Sequence, residues 1–216
     1  MKAIPSNNQQ RALTLIEVMV AAFSLCIMAI VLLSALSVPR VRTAIGCVNH
    51  LKQMGLAVRV WEGNNGDKYP ASLATTNGMG VAENIFMTLS NELGNPRVLV
   101  CPADRHRVPA SSFRTLTAKN ISYFYNPEAR EQNPQDIMVG DDNLTVRGVR
   151  VKSGLLTLTN VVPFGWTADR HRGCGNLGLA DGSVQSATVS GLAAFLRNYT
   201  NELPSTNGFT LRLAIP

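Results

Sequence analysis

No charged residue lies between Val18 and Val38. At about 1.5 Å rise per residue those positions make a helix of roughly 30 Å with no polar side, enough to cross the hydrocarbon core of a bilayer. Other scarcities each remove a function class. Aromatic residues are 6% of the chain, and its 20 lysines and arginines are scattered, with no aromatic-lined basic run and no known nucleic-acid motif. The net charge of +6, about +5 of it outside the span, therefore reads as solvated surface, and no nucleic acid is expected as a partner. Asp169, His171 and Ser183 supply the side-chain types of a hydrolase, but no nucleophile elbow accompanies them and a turn explains Ser183. No catalytic residue and no cofactor is assigned, and the chain is not expected to be an enzyme. Cysteine is scarce too. Cys26 falls in the span and follows Leu25, where lipid attachment needs a small residue, so a lipoprotein signal does not fit. Cys47, Cys101 and Cys174 remain outside, an odd number, so an oxidising compartment permits one bridge and leaves one thiol. The pairing stays open among the three. Cys101 with Cys174 is preferred, because both occupy turn-like sequence while Cys47 belongs to a helix.

At the edge of the uncharged stretch sits one acid, Glu17. An ionisable group within a span costs about 3 kcal/mol near the bilayer centre and less near an interface, so Glu17 calls for a partner or a special position. Around it the chain reads Arg11-Ala12-Leu13-Thr14-Leu15-Ile16-Glu17-Val18, after a short basic leader. This pattern resembles the class III signal of type IV pilins and type II secretion pseudopilins, which runs Gly, then Phe-Thr-Leu-Ile-Glu, then a long apolar helix. Thr14, Leu15, Ile16 and Glu17 hold their family places. Ala12 stands for the glycine before the cut and keeps a small residue there; Leu13 stands for the phenylalanine after it and keeps an apolar one. The resemblance implies cleavage between Ala12 and Leu13 by a prepilin peptidase and methylation of the new amine. It also implies polymerisation with other pilin-like subunits through the apolar helix, with Glu17 meeting the amine of a neighbour. The spacing suits that chemistry. An amine at Leu13 lies four positions before Glu17, on the same helix face, and a carboxylate in the first turn sits at the positive end of the helix dipole.

Two plainer readings compete. An ordinary secretory signal would be cut near Ala35-Leu36-Ser37, after an apolar core longer than usual and interrupted by Glu17. An uncut transmembrane anchor is the other. Charge does not orient the span, because Lys2 and Arg11 on one side face Arg40 and Arg42 on the other. The resemblance implies a cytoplasmic N-terminus, a single pass through the inner membrane and a body outside it. The expected divisions are a leader at 1–12, the membrane half of the N-terminal helix at 13–38, its amphipathic half at 39–62, and a globular domain at 63–216.

About 175 residues lie beyond the span, enough for one domain with its own core. Val48, Leu51, Met54 with Gly55, Val58 and Trp61 recur at helical spacing, with Lys52, Gln53, Arg59 and Glu62 on the other side. A helix is predicted from about Leu13 to Trp61, roughly 70 Å long. Pro39 kinks it, and Gly63-Asn64-Asn65-Gly66 ends it. The remainder of the chain consists of short apolar stretches. A second helix is expected from Asn84 to Leu93, and strands at Val98 to Val100, Ser122 to Tyr125, Asp136 to Asp141 and Leu155 to Val162. A hairpin is expected from Gly178 to Ala187 around Asp181-Gly182, then a closing helix from Gly191 to Tyr199. The fold class is α+β, a long N-terminal helix packed on a small antiparallel sheet, pilin-like.

His171, nine residues and then Asp181-Gly182 are similar to the C-terminal motif of a pseudopilin-like group. Asn49-His50-Leu51-Lys52-Gln53-Met54-Gly55-Leu56-Ala57, Tyr69-Pro70 and Val100-Cys101-Pro102 add to that resemblance, which spans nearly all the chain. His171 is expected to fix the loop before the last hairpin by hydrogen bonds. Each histidine lies near a cysteine in sequence: Cys47 with His50, Cys101 with His106, His171 with Cys174. Thiolate and imidazole suit zinc, but no pair repeats the spacing of a zinc module. Asp141-Asp142-Asn143 offers the oxygen donors calcium takes, without the alternating spacing of a calcium loop, so a solvated turn is expected there. No metal site is assigned. The leading reading is a non-enzymatic pilin-like structural subunit of a type II secretion or type IV pilus-type envelope assembly. The alternative is a membrane-anchored extracytoplasmic binding module that does not polymerise.

Overall fold

The computed structural model describes residues 14–37, 39–70, 81–158, 162–202 and 211–216. The expected leader at 1–12 and the expected cleavage position Ala12-Leu13 lie outside them. The chain divides into two compact units, 1–42 and 43–216. In the first, helix α1 covers Leu15–Ser37 with Glu17 as the acid of its first turn. Its segment Leu15–Ser34 is long and apolar enough to cross a membrane. Leu15, Ile16, Phe23, Ile30 and Leu33 are all exposed, so nothing among the described residues of this unit shields the helix from solvent. A helix apolar on every side needs lipid or protein around it.

Helix α2 is described from Pro39 to Asn64. The core face of α2 is Cys47, Leu51, Met54, Val58 and Trp61, all buried. The apolar stripe thus begins at Cys47, whereas Val48 is half-buried. Lys52, Gln53 and Arg59 face outward as expected, but Glu62 is buried. Burial, followed by the charges of Glu131 and Asp67, pushes the Glu62 carboxyl above its ordinary value despite Arg59 nearby. The helix ends where expected. The Asn65 side chain donates to the Trp61 carbonyl at 2.7 Å, and Gly66 and Asp67 turn left-handed with φ of 71° and 55°.

The expected second helix forms in two pieces, α3 (Val81–Thr88) and α4 (Ser90–Leu93). The strand expected at Val98 to Val100 does not form. Pro96–Leu99 is instead a 3-10 turn, capped by the Asn95 side chain, which accepts from the Arg97 amide at 3.0 Å. An Asn cap followed by proline favours a helical start over a ladder.

Nine strands are described: β1 (Tyr123–Tyr125), β2 (Ile137–Asp141), β3 (Leu144–Val146), β4 (Val149–Arg150), β5 (Gly154–Leu158), β6 (Phe164–Trp166), β7 (Gly175–Leu179), β8 (Val184–Ala187) and β9 (Leu211–Ile215). They form a six-stranded sheet in the order β5-β9-β1-β2-β7-β8 and a three-stranded sheet β4-β3-β6. Every pairing is antiparallel. The second unit is therefore α+β. The expected hairpin is β7–β8, with Gly178 opposite Val184. Residues 159–161 of the strand expected at Leu155 to Val162 lie outside the described set. Helix α5 (Val189–Glu202) does not close the fold, because β9 follows it and pairs with both β5 and β1.

Both faces of the large sheet are covered. Tyr123, Tyr125 and Met138 pack with Leu51, Met54, Val58, Ile85 and Phe86 of the helices. Phe124, Ile137 and Leu177 pack on the opposite side with Phe164, Trp166, Leu192 and Leu196. Alternation along Tyr123-Phe124-Tyr125 thus serves two cores, and strands buried on both faces lose the polar half of the two-residue pattern. Gly140 sits where this packing is tight. A Cβ there would lie 2.6 Å from Phe124 Cζ and 3.0 Å from the Asn176 carbonyl oxygen. Gly140→Ala is expected to cost about 1–3 kcal/mol by overpacking. Gly63→Ala, on open helix surface with nothing within 4 Å, is expected to be neutral or mildly stabilising. Chemical denaturation of the two variants checks the contrast.

Candidate functional site

Two constellations carry chemistry. The first is the start of α1. Thr14 is the N-cap: its carbonyl accepts from the Val18 amide at 3.2 Å and its hydroxyl from the Glu17 amide at 3.4 Å. Glu17 Oε2 accepts in return from the Thr14 amide at 2.9 Å and the Thr14 hydroxyl at 3.0 Å. This is a reciprocal capping box, Thr-x-x-Glu, at the mouth of an uncharged helix. Glu17 thus has a partner within the chain, Thr14. Thr14 and Glu17 stand three apart, so the box is legible in the sequence.

The second is a buried polar cluster in the 43–216 unit. Asp141-Asp142-Asn143, expected as a solvated turn, is buried: Asp141 and Asn143 are 0% exposed and Asp142 3%. Asp142 pairs with both Arg107 and Arg170. The Arg170 side chain is 1% exposed; its Nη1 donates to the Ser122 carbonyl at 3.0 Å and lies 3.4 Å from Asp104 Oδ2. Asp104 also accepts from the Ser122 hydroxyl at 2.9 Å. Burial pushes the Asp104 carboxyl up, but the His106 amide, Arg170 and Ser122 outweigh it and hold the group below its ordinary value. Asp141 is different. Burial raises it, and His171, Arg170 and the two Asn176 hydrogen bonds only partly offset that.

His171 joins this cluster at Asp141. Its Nε2 lies 3.2 Å from Cys101 Sγ and 3.5 Å from Asp141 Oδ2. Cys101 is bonded to Cys47, with Cα atoms 5.2 Å apart, which corrects the preferred pairing with Cys174. Cys174 is a free thiol. The correction follows from α2, whose 3-and-4 repeat through Leu51, Met54, Val58 and Trp61 places Cys47 on the core face. Asp181 and Gly182 are not brought to His171. They form the β7–β8 turn, where Gly182 has φ 83° and Asp181 Oδ1 accepts from the Ser183 amide at 2.8 Å. Just before that turn, the Ala180 carbonyl accepts from Arg59 Nη2 at 2.7 Å. The stretch from His171 to Gly182 therefore flanks β7 with two contacts: His171 on Cys101, which is bridged to Cys47 of α2, and the Ala180 carbonyl on Arg59, about 18 Å from Cys47 along that helix.

The remaining candidates disperse. Asp169 pairs with Arg150 at 2.8 Å, so Asp169, His171 and Ser183 do not converge. His50 lies with its Nδ1 3.4 Å from the Tyr123 hydroxyl, and burial pushes its imidazole below the usual value. His106 is exposed. Among the described residues, the metal-ligating atoms that gather are those of Cys47, Cys101 and His171. No family model, characterised protein or solved structure matches the chain.

Proposed function

We propose that this chain is a pilin-like structural subunit of a type II secretion or type IV pilus-type assembly. A prepilin peptidase cuts it between Ala12 and Leu13, and the new amine is methylated. Helix α1 holds it in the inner membrane with the body on the extracytoplasmic side. The observation that supports this reading is an uncovered apolar helix with a single acid in its first turn. Lipid is as apolar as leucine, so helices of this kind associate through close packing and a few polar contacts. Glu17 can supply such a contact. A carboxylate offers about four lone-pair positions, and Thr14 takes two of them, both on Oε2.

The test is Glu17→Leu in cells that carry tagged and untagged copies. An interhelical polar contact in a membrane contributes about 0.6–2 kcal/mol, a factor of roughly 3–30 in each association step. Co-purification of the untagged copy is expected to fall by at least that factor while membrane insertion persists. Unchanged co-purification would remove Glu17 from assembly, and a wild-type chain that never co-purifies would favour the anchored binding module.

A further inference from the structure

Three metal-ligating atoms converge from distant parts of the fold. Sγ of Cys47 on α2, Sγ of Cys101 after the 3-10 turn and a ring nitrogen of His171 all lie within 4.8 Å of one another. Both sulfurs are buried, and the imidazole side chain is 8% exposed. The nitrogen-to-sulfur distance of 3.2 Å approaches the edge of a zinc tetrahedron, roughly 3.5 Å for Zn–S near 2.3 Å and Zn–N near 2.0 Å. The two sulfurs would need to stand roughly 3.7 Å apart in such a site, and their Cα separation of 5.2 Å permits that by side-chain rotation once the bond between them is broken.

The backbone is bent to bring the imidazole there. His171 and Arg172, neither of them glycine, have φ of 48° and 58°, and Gly173 follows at 77°. Such conformations cost about 1–3 kcal/mol each and persist only where the surroundings enforce them; here the buried Arg170 ion pairs immediately precede the bend. Asp141 adds an anion beside the imidazole. Asn176 holds its Oδ2 through an amide bond of 2.8 Å and a side-chain bond of 2.9 Å. Its buried Oδ1 has no hydrogen-bond partner among the described residues.

We infer that Cys47, Cys101 and His171 form a zinc site whenever the two cysteines are thiols, so that a disulfide and a metal ion are alternative staples of the same junction. Two thiolates and an imidazole are soft and borderline donors of the kind zinc prefers, and a water completes the fourth position. The exchange balances. A two-electron reductant such as a dithiol delivers two electrons and two protons to the sulfurs, the S–S bond breaks, and the reductant closes its own disulfide. Zinc then forms two Zn–S bonds and one Zn–N bond, and the two thiol protons leave to solvent.

The test uses the full chain in detergent micelles, reduced with a phosphine that does not compete for zinc, then titrated with zinc ion alone. The expected result is one zinc per reduced chain, none per oxidised chain, and a thiolate-to-metal charge-transfer band when cobalt replaces zinc. His171→Ala keeps the disulfide, so its fold is checked in the oxidised state. Reduced, it should bind zinc at least the roughly 100-fold more weakly that even the loss of an outer-shell partner can cause. A folded reduced chain that takes no zinc would overturn the inference. So would equal affinity in His171→Ala, or a reduced chain that unfolds and is not restored by zinc.

Discussion

Arg170→Met is expected to destabilise the 43–216 unit by about 3–5 kcal/mol, because it removes the one buried cation that Asp142 and Asp104 share. Arg170 lies between Asp142 and Asp104, with Asp141 close enough to act on its charge. Methionine keeps the apolar stem and carries no charge, so the loss combines the missing cation with the space its guanidinium filled. Asp142 retains Arg107, and Asp104 retains the Ser122 hydroxyl and the His106 amide. Removing the matching acid should return part of the loss. Asp142→Asn combined with Arg170→Met is expected to be more stable than the sum of the two single changes predicts, the sign of direct coupling. Chemical denaturation of the four chains in detergent measures it. A single-variant loss below about 1 kcal/mol, the value of an exposed pair, would mean that water reaches the cluster and screens its charges.

Cys47→Ser is expected to cost about 4 kcal/mol in the absence of zinc. The bridge closes a separation of 54 residues, and a loop of that length removes about that much chain entropy from the unfolded state. The variant should show no further loss on reduction, whereas the wild-type chain should fall to meet it. Cys174→Ser should change little, since Cys174 is unbridged. If Cys174→Ser carried the loss and Cys47→Ser did not, the assignment would be wrong. A non-reducing peptide map would then show Cys101 joined to Cys174.

Local pattern reaches the parts of this fold that are local. The helix of the uncharged stretch, the stop at Gly63-Asn64-Asn65-Gly66 and the Asp181-Gly182 hairpin each rest on residues close together in sequence. The polar cluster does not. Asp142 reads as a turn residue until Arg170, 28 residues away, is known to be beside it. Val98-Leu99-Val100 reads as a strand only if the cap and proline before it are ignored. Strand β9 is a short alternating run with no turn chemistry of its own, and its place between β5 and β1 is set by long-range pairing. Cys47 is the opposite case, legible in the sequence although the preferred pairing passed over it. Its four-residue step to Leu51 continues the stripe of α2, and a cysteine on the core face of a helix is placed to bridge inward.

The assembly proposed for α1 requires trimming of the N-terminus between Ala12 and Leu13, which would expose an amine four positions before Glu17. Mass spectrometry of the terminal peptide, taken from protein extracted directly from membranes, tests this in one step. The expected peptide begins at Leu13 and carries one methyl group on its amine. An intact peptide beginning at Met1 would contradict it.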